Sequence, residues 1–304
     1  MDSQSVALNN CRVVYLHGIG APQFGSFEQR VHLAALRAAG ATVICPNMRT
    51  DALKLGESNS VVRHILRQPL LWAIAAALIV TLAVLFAALK HKIDIIRVVA
   101  AGAACLTIGV SLPRLFSRLL QAALDDAVAA TREIALDAIR AAWDGGGIDL
   151  LVGFSWGGAL GAILVGEGIW CGPTLLLAPA IEPILGGAIS GWKSGRWNSI
   201  VKNNAQPLAR RSPLHVLAGA CDTVVPLMPM QQWAASQALH VDVLDDATHE
   251  LGNSAVEWKL VSDAANALVI KGRRATTEVR ERWLDSAAVR GQLTSSQLRA
   301  VAYL

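Results

Sequence analysis

Short apolar runs bounded by glycine, proline or acidic turns recur along the chain, separated by stretches whose apolar residues return every three or four positions. The run Arg12-Val13-Val14-Tyr15-Leu16 reads as a buried strand that ends in the loop His17-Gly18-Ile19-Gly20. A helix is expected near Phe27 to Ala38, where Phe27, Val31, Ala35 and Ala38 share a face, followed by a strand over Ala41 to Cys45. A long amphipathic helix is expected over Leu115 to Trp143, with Phe116, Leu119, Leu120, Ala123, Leu124, Ala127 and Val128 on one stripe and Gly145-Gly146-Gly147 at its end. Strands are expected at Ile148 to Val152, Thr174 to Ala178, Leu214 to Ala218 and Val241 to Leu244.

One junction carries more than pattern. After Ile148 to Val152 the chain reads Gly153-Phe154-Ser155-Trp156-Gly157-Gly158, and the helix-like stretch Ala159 to Val165 follows. A serine in so tight a strand-to-helix turn sits at a strained backbone position, and Gly153 and Gly157 remove the side chains that would collide as strand and helix close. Ser155 is therefore a candidate nucleophile. A Ser-Gly turn that merely caps a helix would look similar, so the motif needs its surroundings. Those surroundings include the strand before His17-Gly18, the strand before Cys221-Asp222-Thr223, and the strand before Asp245-Asp246-Ala247-Thr248-His249.

In these features the chain resembles the α/β-hydrolase superfamily, whose triad runs serine, acid, histidine along the chain, each on a loop at the carboxyl end of a strand. The resemblance extends from about Cys11 to about Ile270 and implies a mostly parallel sheet flanked by helices. It assigns Ser155 as nucleophile, His249 as general base and Asp222 as the acid that orients it. A serine hydroxyl is a poor nucleophile until an imidazole takes its proton, and the imidazole needs a carboxylate to fix its tautomer. The resemblance also assigns the oxyanion donors to the backbone N–H groups of Trp156 and Ile19. Many members carry glycine before the histidine, where this chain has Thr248.

Other readings of these residues stand beside that one. His249 taken alone could be a surface histidine, and Asp245 or Asp246 could replace Asp222 as the acid. His17 is expected to shape the oxyanion loop without handling protons, and His215, inside a strand, to be a packed or hydrogen-bonded residue.

Composition changes the picture at one place. Hydrophobic residues make up 53% of the 304 and charged ones 16%, more apolar and less charged than soluble domains usually are. The excess lies in Pro69 to Leu89, an uncharged run of about 21 residues that as a helix would span roughly 31 Å, and in Ile95 to Leu112, interrupted by Arg97. The two read as a transmembrane hairpin over 69–112, with small residues from Ala100 to Gly109 suited to helix–helix approach. A soluble cap of two buried helices is the alternative. The expected organisation is a catalytic domain over 1–62 and 113–304, a hairpin insertion over 63–112, and a lid over 182–207.

Ile19 and Ser155 flank the hairpin in sequence yet belong to one site, which an even number of membrane crossings allows. The opening residues show no basic-then-apolar leader, and Arg63, Arg67, Arg114 and Arg118 on the catalytic side of the hairpin outnumber Lys90, Lys92 and Arg97 at its tip, so the catalytic domain is expected to face the cytoplasm from the cytoplasmic membrane. The lid segment holds Trp192 and Trp197 beside Lys193 and Arg196, a mixture suited to a membrane interface or to covering an apolar substrate. Five scattered cysteines show no metal spacing and are expected to be reduced. A net charge of +4 without a phosphate-binding loop argues against nucleic acid or a nucleotide, and no cofactor or metal is expected. The functional expectation is a membrane-anchored serine hydrolase for an ester or thioester, probed against two alternatives: an acyltransferase with the same triad and a tethered, non-catalytic interaction protein.

Overall fold

Leucine- and valine-rich runs of three to six residues pair side by side as parallel strands. The computed structural model describes residues 8–18, 31–48, 79, 82–83, 86, 125–181, 206–251 and 255–274. The strands are β1 (Arg12–Leu16), β2 (Thr42–Ile44), β3 (Leu150–Phe154), β4 (Thr174–Leu177), β5 (Leu214–Gly219) and β6 (Val241–Leu244). They form one six-stranded sheet in the order β2-β1-β3-β4-β5-β6, and every neighbouring pair is parallel. Every residue of the central strands β3 and β4 is buried, as expected for a parallel sheet covered on both faces.

The helices are α1 (Val31–Ala38), α2 (described over 125–144), α3 (Trp156–Gly166), α4 (Leu227–Ser236) and α5 (Ala255–Arg274). Alternation along the strands sorts them between faces. Val13, Tyr15, Leu150, Val152 and Phe154 share a core with Leu33 and Leu36 of α1 and with Val261, Ala265, Leu268 and Val269 of α5. Leu151 and Leu176 point the other way, toward Gly161 of α3. On that side α2 braces α3: the Trp156 indole N–H donates to Thr131 Oγ1 at 3.1 Å, and Arg132 Nε donates to Glu167 at 2.7 Å. Gly146 and Gly147, at φ 118° and 98°, end α2 in a backbone form that other residues rarely adopt.

From β1 the chain passes through α1 outward to β2, and it re-enters the sheet at β3 on the opposite side of β1. The strand order thus reverses between β1 and β3, and in open parallel sheets ligands settle at the carboxyl ends of the strands at such a switch point.

Several expected boundaries move. The strand expected over Ile148 to Val152 runs from Leu150 to Phe154, and the helix expected from Ala159 already starts at Trp156. The expected strand ends at Cys45 and Ala178 fall one residue earlier, and Gly219 extends β5. Helix α4 and the full length of α5 were not anticipated. The expected helical stretches before Val31 and before residue 125 lie outside the described residues.

The chain divides into two compact units, one of Met1–Asp51 with Val128–Leu304 and one of Ala52–Ala127. In the second unit residues 79, 82, 83 and 86 are helical, and Ile79, Leu82 and Phe86 are 66%, 53% and 71% exposed. Their spacing puts these three on one helical face. Among the described residues no helix is long and apolar enough to cross a membrane. Apart from those four positions, the expected hairpin 69–112 lies outside the described residues. No disulfide joins the described cysteines Cys11, Cys45, Cys171 and Cys221 to one another.

Candidate active site

Ser155 is the single residue between β3 and α3, with φ 53° and ψ −114°. Such a backbone is strained for a residue with a side chain, and the packing around it explains how it persists. A Cβ on Gly157 would run into the backbone carbonyl of Leu16, and one on Gly153 into the backbone of Gly157. Gly18 is equally constrained, since a Cβ there would lie 2.8 Å from Ser155 Cβ. The elbow is thus pressed against the end of β1 with no room for side chains. Ser155 makes no side-chain capping bond to α3. Its hydroxyl lies 3.0 Å from His249 Nε2 instead, which removes the helix-cap reading.

His249 Nδ1 lies 2.7 Å from Asp222 Oδ2. The other oxygen, Oδ1, accepts the N–H groups of Val224 and Val225, both at 2.8 Å. This leaves Oδ2 to the imidazole and fixes the carboxylate plane. Burial opposes ionisation of Asp222 and is the largest influence on it. The bond from His249, the N–H of Val225, the charge of His249 and the N–H of Val224 together outweigh burial and hold the carboxyl below its ordinary pKa. The Asp222 side chain is fully buried, whereas His249 keeps 15% of its side chain exposed, so the ring can be reached from outside. Asp245 and Asp246 are exposed in the turn after β6, and it is Asp222 that meets the imidazole.

The acid and histidine loops are stitched to each other: Ala220 N–H donates to Leu244 O at 2.9 Å and Cys221 N–H to Ala247 O at 3.0 Å. Leu251, fully buried at φ 46°, returns the histidine loop to the core. Ser155, Asp222 and His249 therefore stand at the carboxyl ends of β3, β5 and β6. The set can move a proton from a hydroxyl to an imidazole held in one tautomer.

No protein-family model matches the chain. No curated protein matches it either. Among solved structures it is similar to Est1E from Butyrivibrio proteoclasticus, at 12% identity over 88% of this chain and 89% of that one, with a TM-score of 0.42. A likeness of that size leaves the chemistry to be argued from the site itself.

The remaining expected residues divide into those described and those not. His17 is fully buried; its Nε2 accepts the Met48 N–H at 2.9 Å, so Nδ1 is the donor to the Gly18 carbonyl at 2.8 Å. The ring ties two loops together and does not touch Ser155 through any of these bonds. His215 sits at the amino end of β5, with Nε2 2.9 Å from Asp242, at the opposite end of the strand from Asp222. Trp156 opens α3, so its backbone N–H has no acceptor within the helix. Ile19, Trp192 and Trp197 lie outside the described residues, as does most of the lid 182–207. Sequence reasoning missed His32, Tyr15 and Phe154. His32 is buried in α1, accepts the Tyr15 hydroxyl at 2.9 Å through Nδ1, and bonds through Nε2 to the carbonyl of Glu250. Nothing in the sequence around a lone helical histidine marks that role.

Proposed function

We propose that the protein is a serine hydrolase of the α/β-hydrolase class that cleaves a carboxylic ester or thioester through an acyl-Ser155 intermediate. One observation carries the reading: a single imidazole, His249, spans Ser155 Oγ and the buried Asp222 carboxylate, with the serine held at a strained elbow. In the first half-reaction Ser155 Oγ attacks the carbonyl carbon while His249 Nε2 takes its proton. Asp222 keeps the Nδ1 proton in place and stabilises the imidazolium. The tetrahedral oxyanion accepts hydrogen bonds from the backbone N–H of Trp156 and, by the resemblance, of Ile19. Collapse of the intermediate breaks the bond to the alcohol or thiol, which leaves with the proton from Nε2. Water then attacks the acyl-serine, giving its proton to Nε2, and the acid is released as Ser155 recovers its own.

The same proposal places the protein on the cytoplasmic membrane through the 69–112 hairpin, with the catalytic unit facing the cytoplasm, and takes a lipid-like acyl substrate as the natural one. Exposure of Ile79, Leu82 and Phe86 on one helical face supports it, because such a face needs an apolar surrounding. Trp192 and Trp197 are proposed to guide acyl chains at the lid. The test is hydrolysis of acyl esters of graded length by membrane-reconstituted protein, with Ser155→Ala alongside. Turnover lost in that variant and rising with chain length supports the proposal, and equal turnover in both proteins contradicts it. Replacing 70–112 by a short Gly/Ser linker should move the protein from the membrane to the soluble fraction. Digestion of the catalytic unit by protease added outside sealed right-side-out vesicles would contradict the orientation.

A further inference from the structure

Three segments that carry the candidate chemistry converge on one buried side chain of α1. Tyr15 comes from β1, two residues before His17; Phe154 immediately precedes Ser155; Glu250 immediately follows His249. His32 touches all three. Its Nε2 meets the Glu250 carbonyl, its Nδ1 lies 2.9 Å from the Tyr15 hydroxyl, and its ring is 4.7 Å from that of Phe154. Phe154 in turn lies 5.1 Å from the His249 ring. A carbonyl can only accept, so Nε2 carries a hydrogen, and in the neutral ring Nδ1 then accepts from Tyr15.

We infer that His32 is a positioning residue for the proposed hydrolysis: its bond to the Glu250 carbonyl fixes the backbone next to His249 and so sets the distance between the imidazole and Ser155. This rests on the reading of Ser155 and His249 as nucleophile and base. The need for such a clamp follows from the neighbours. Ala247 and Leu251 are buried and anchor the loop at its two ends, whereas Thr248 and Glu250, on either side of His249, are exposed, and the bond from His32 holds the backbone between those anchors. The bond to Asp222 fixes Nδ1, yet the ring can still pivot about that bond unless its Cα is held as well. Phe154 supplies a wall for the ring, and His32 holds the backbone behind it. A displacement of about 1 Å at a reacting group can cost about 10²-fold in rate, so a clamp that touches no substrate still governs turnover. Tyr15 completes the device by keeping the His32 hydrogen on Nε2.

The geometry separates two substitutions of similar size. A glutamine at this position ends in an amide N–H with about the reach of imidazole Nε2, whereas asparagine ends near Nδ1 and falls short of Glu250. Steady-state hydrolysis of a short soluble ester by the full chain should show His32→Asn with kcat lowered about 10- to 100-fold and KM little changed, while His32→Gln stays within about threefold of wild type. Equal turnover in all three folded proteins would overturn the inference. So would Asn and Gln variants impaired alike, with kcat falling in step with thermal stability, because that describes a packing role only. Should His32→Asn fail to fold, Tyr15→Phe decides: a kcat lowered about three- to tenfold with unchanged KM is expected, and an unchanged kcat overturns the role. Fluorophosphonate labelling of wild type and Ser155→Ala separates the two levels. Labelling at Ser155 with an unaffected Asn variant removes only the clamp, whereas equal labelling of wild type and Ser155→Ala removes the reading of the site and the clamp with it.

Discussion

The elbow and the histidine loop hold their functional atoms by different means. Ser155 is placed by exclusion: Gly153, Gly157 and Gly18 let three stretches of backbone press together until the serine has one conformation left. His249 is placed by attraction, through hydrogen bonds to Asp222, Ser155 and, by way of Glu250, His32. The first arrangement lies in the middle of the sheet where every residue of β3 is buried, the second beside the edge strand β6, three of whose four residues are only partly buried. Each part should therefore break in its own way. Steric placement fails with the fold, and hydrogen-bonded placement fails in rate first.

Gly157→Ala attacks the steric placement of Ser155. The new methyl meets the Leu16 carbonyl, which is backbone and cannot turn away, so the cost should reach about 3 kcal/mol or more. Thermal unfolding should show a midpoint lower by roughly 6–12 °C, or no folded protein. On the attractive side, Asp222→Asn should lower kcat about 10⁴-fold while the fold survives, because the amide favours the wrong imidazole tautomer. Steady-state kinetics on the purified variant checks this, with Asp245→Asn and Asp246→Asn expected near wild type. Were either of those as damaging and Asp222→Asn mild, the acid would be misassigned.

Two further effects are smaller. Thr131→Val leaves the buried Trp156 indole N–H without its acceptor, at about 1–3 kcal/mol, visible in thermal unfolding as a few degrees. The smallest concerns acid. Since the folded Asp222 carboxyl lies below its unfolded value, its stabilising contribution is complete above the ordinary carboxylate range and drains as pH falls through the lowered folded pKa. Unfolding midpoints measured down the acid range should therefore fall less steeply in Asp222→Asn than in wild type.

How much of this could be read from sequence follows the same division. The strands β1, β5 and β6 announced themselves as apolar runs ending in glycine or acidic turns, and the order serine, acid, histidine was legible because each residue follows a strand. The elbow is legible in the sequence, its borders less so. Gly153 and Gly157 are expected to let strand and helix close on each other, yet the expected strand reaches only Val152 and the expected helix starts only at Ala159. In the fold Gly153 pairs with Leu16 inside the ladder and Gly157-Gly158 lie within α3, because there the glycines serve close approach and not turning. Helix α5 buries Val261, Ala265, Leu268 and Val269 at helical spacing, a signal present in the sequence. His32 left no such trace, since its partners are a hydroxyl 17 positions away and a carbonyl 218 positions away. Only the folded chain brings them together.

The central claim is that Ser155 is an activated nucleophile. Incubation of the full chain with a fluorophosphonate probe, followed by peptide mapping of the adduct, tests it directly. A single adduct on Ser155, absent in Ser155→Ala and slowed strongly in Asp222→Asn, is the expected result; a folded wild-type protein that takes up no probe, or takes it up elsewhere, would contradict the account.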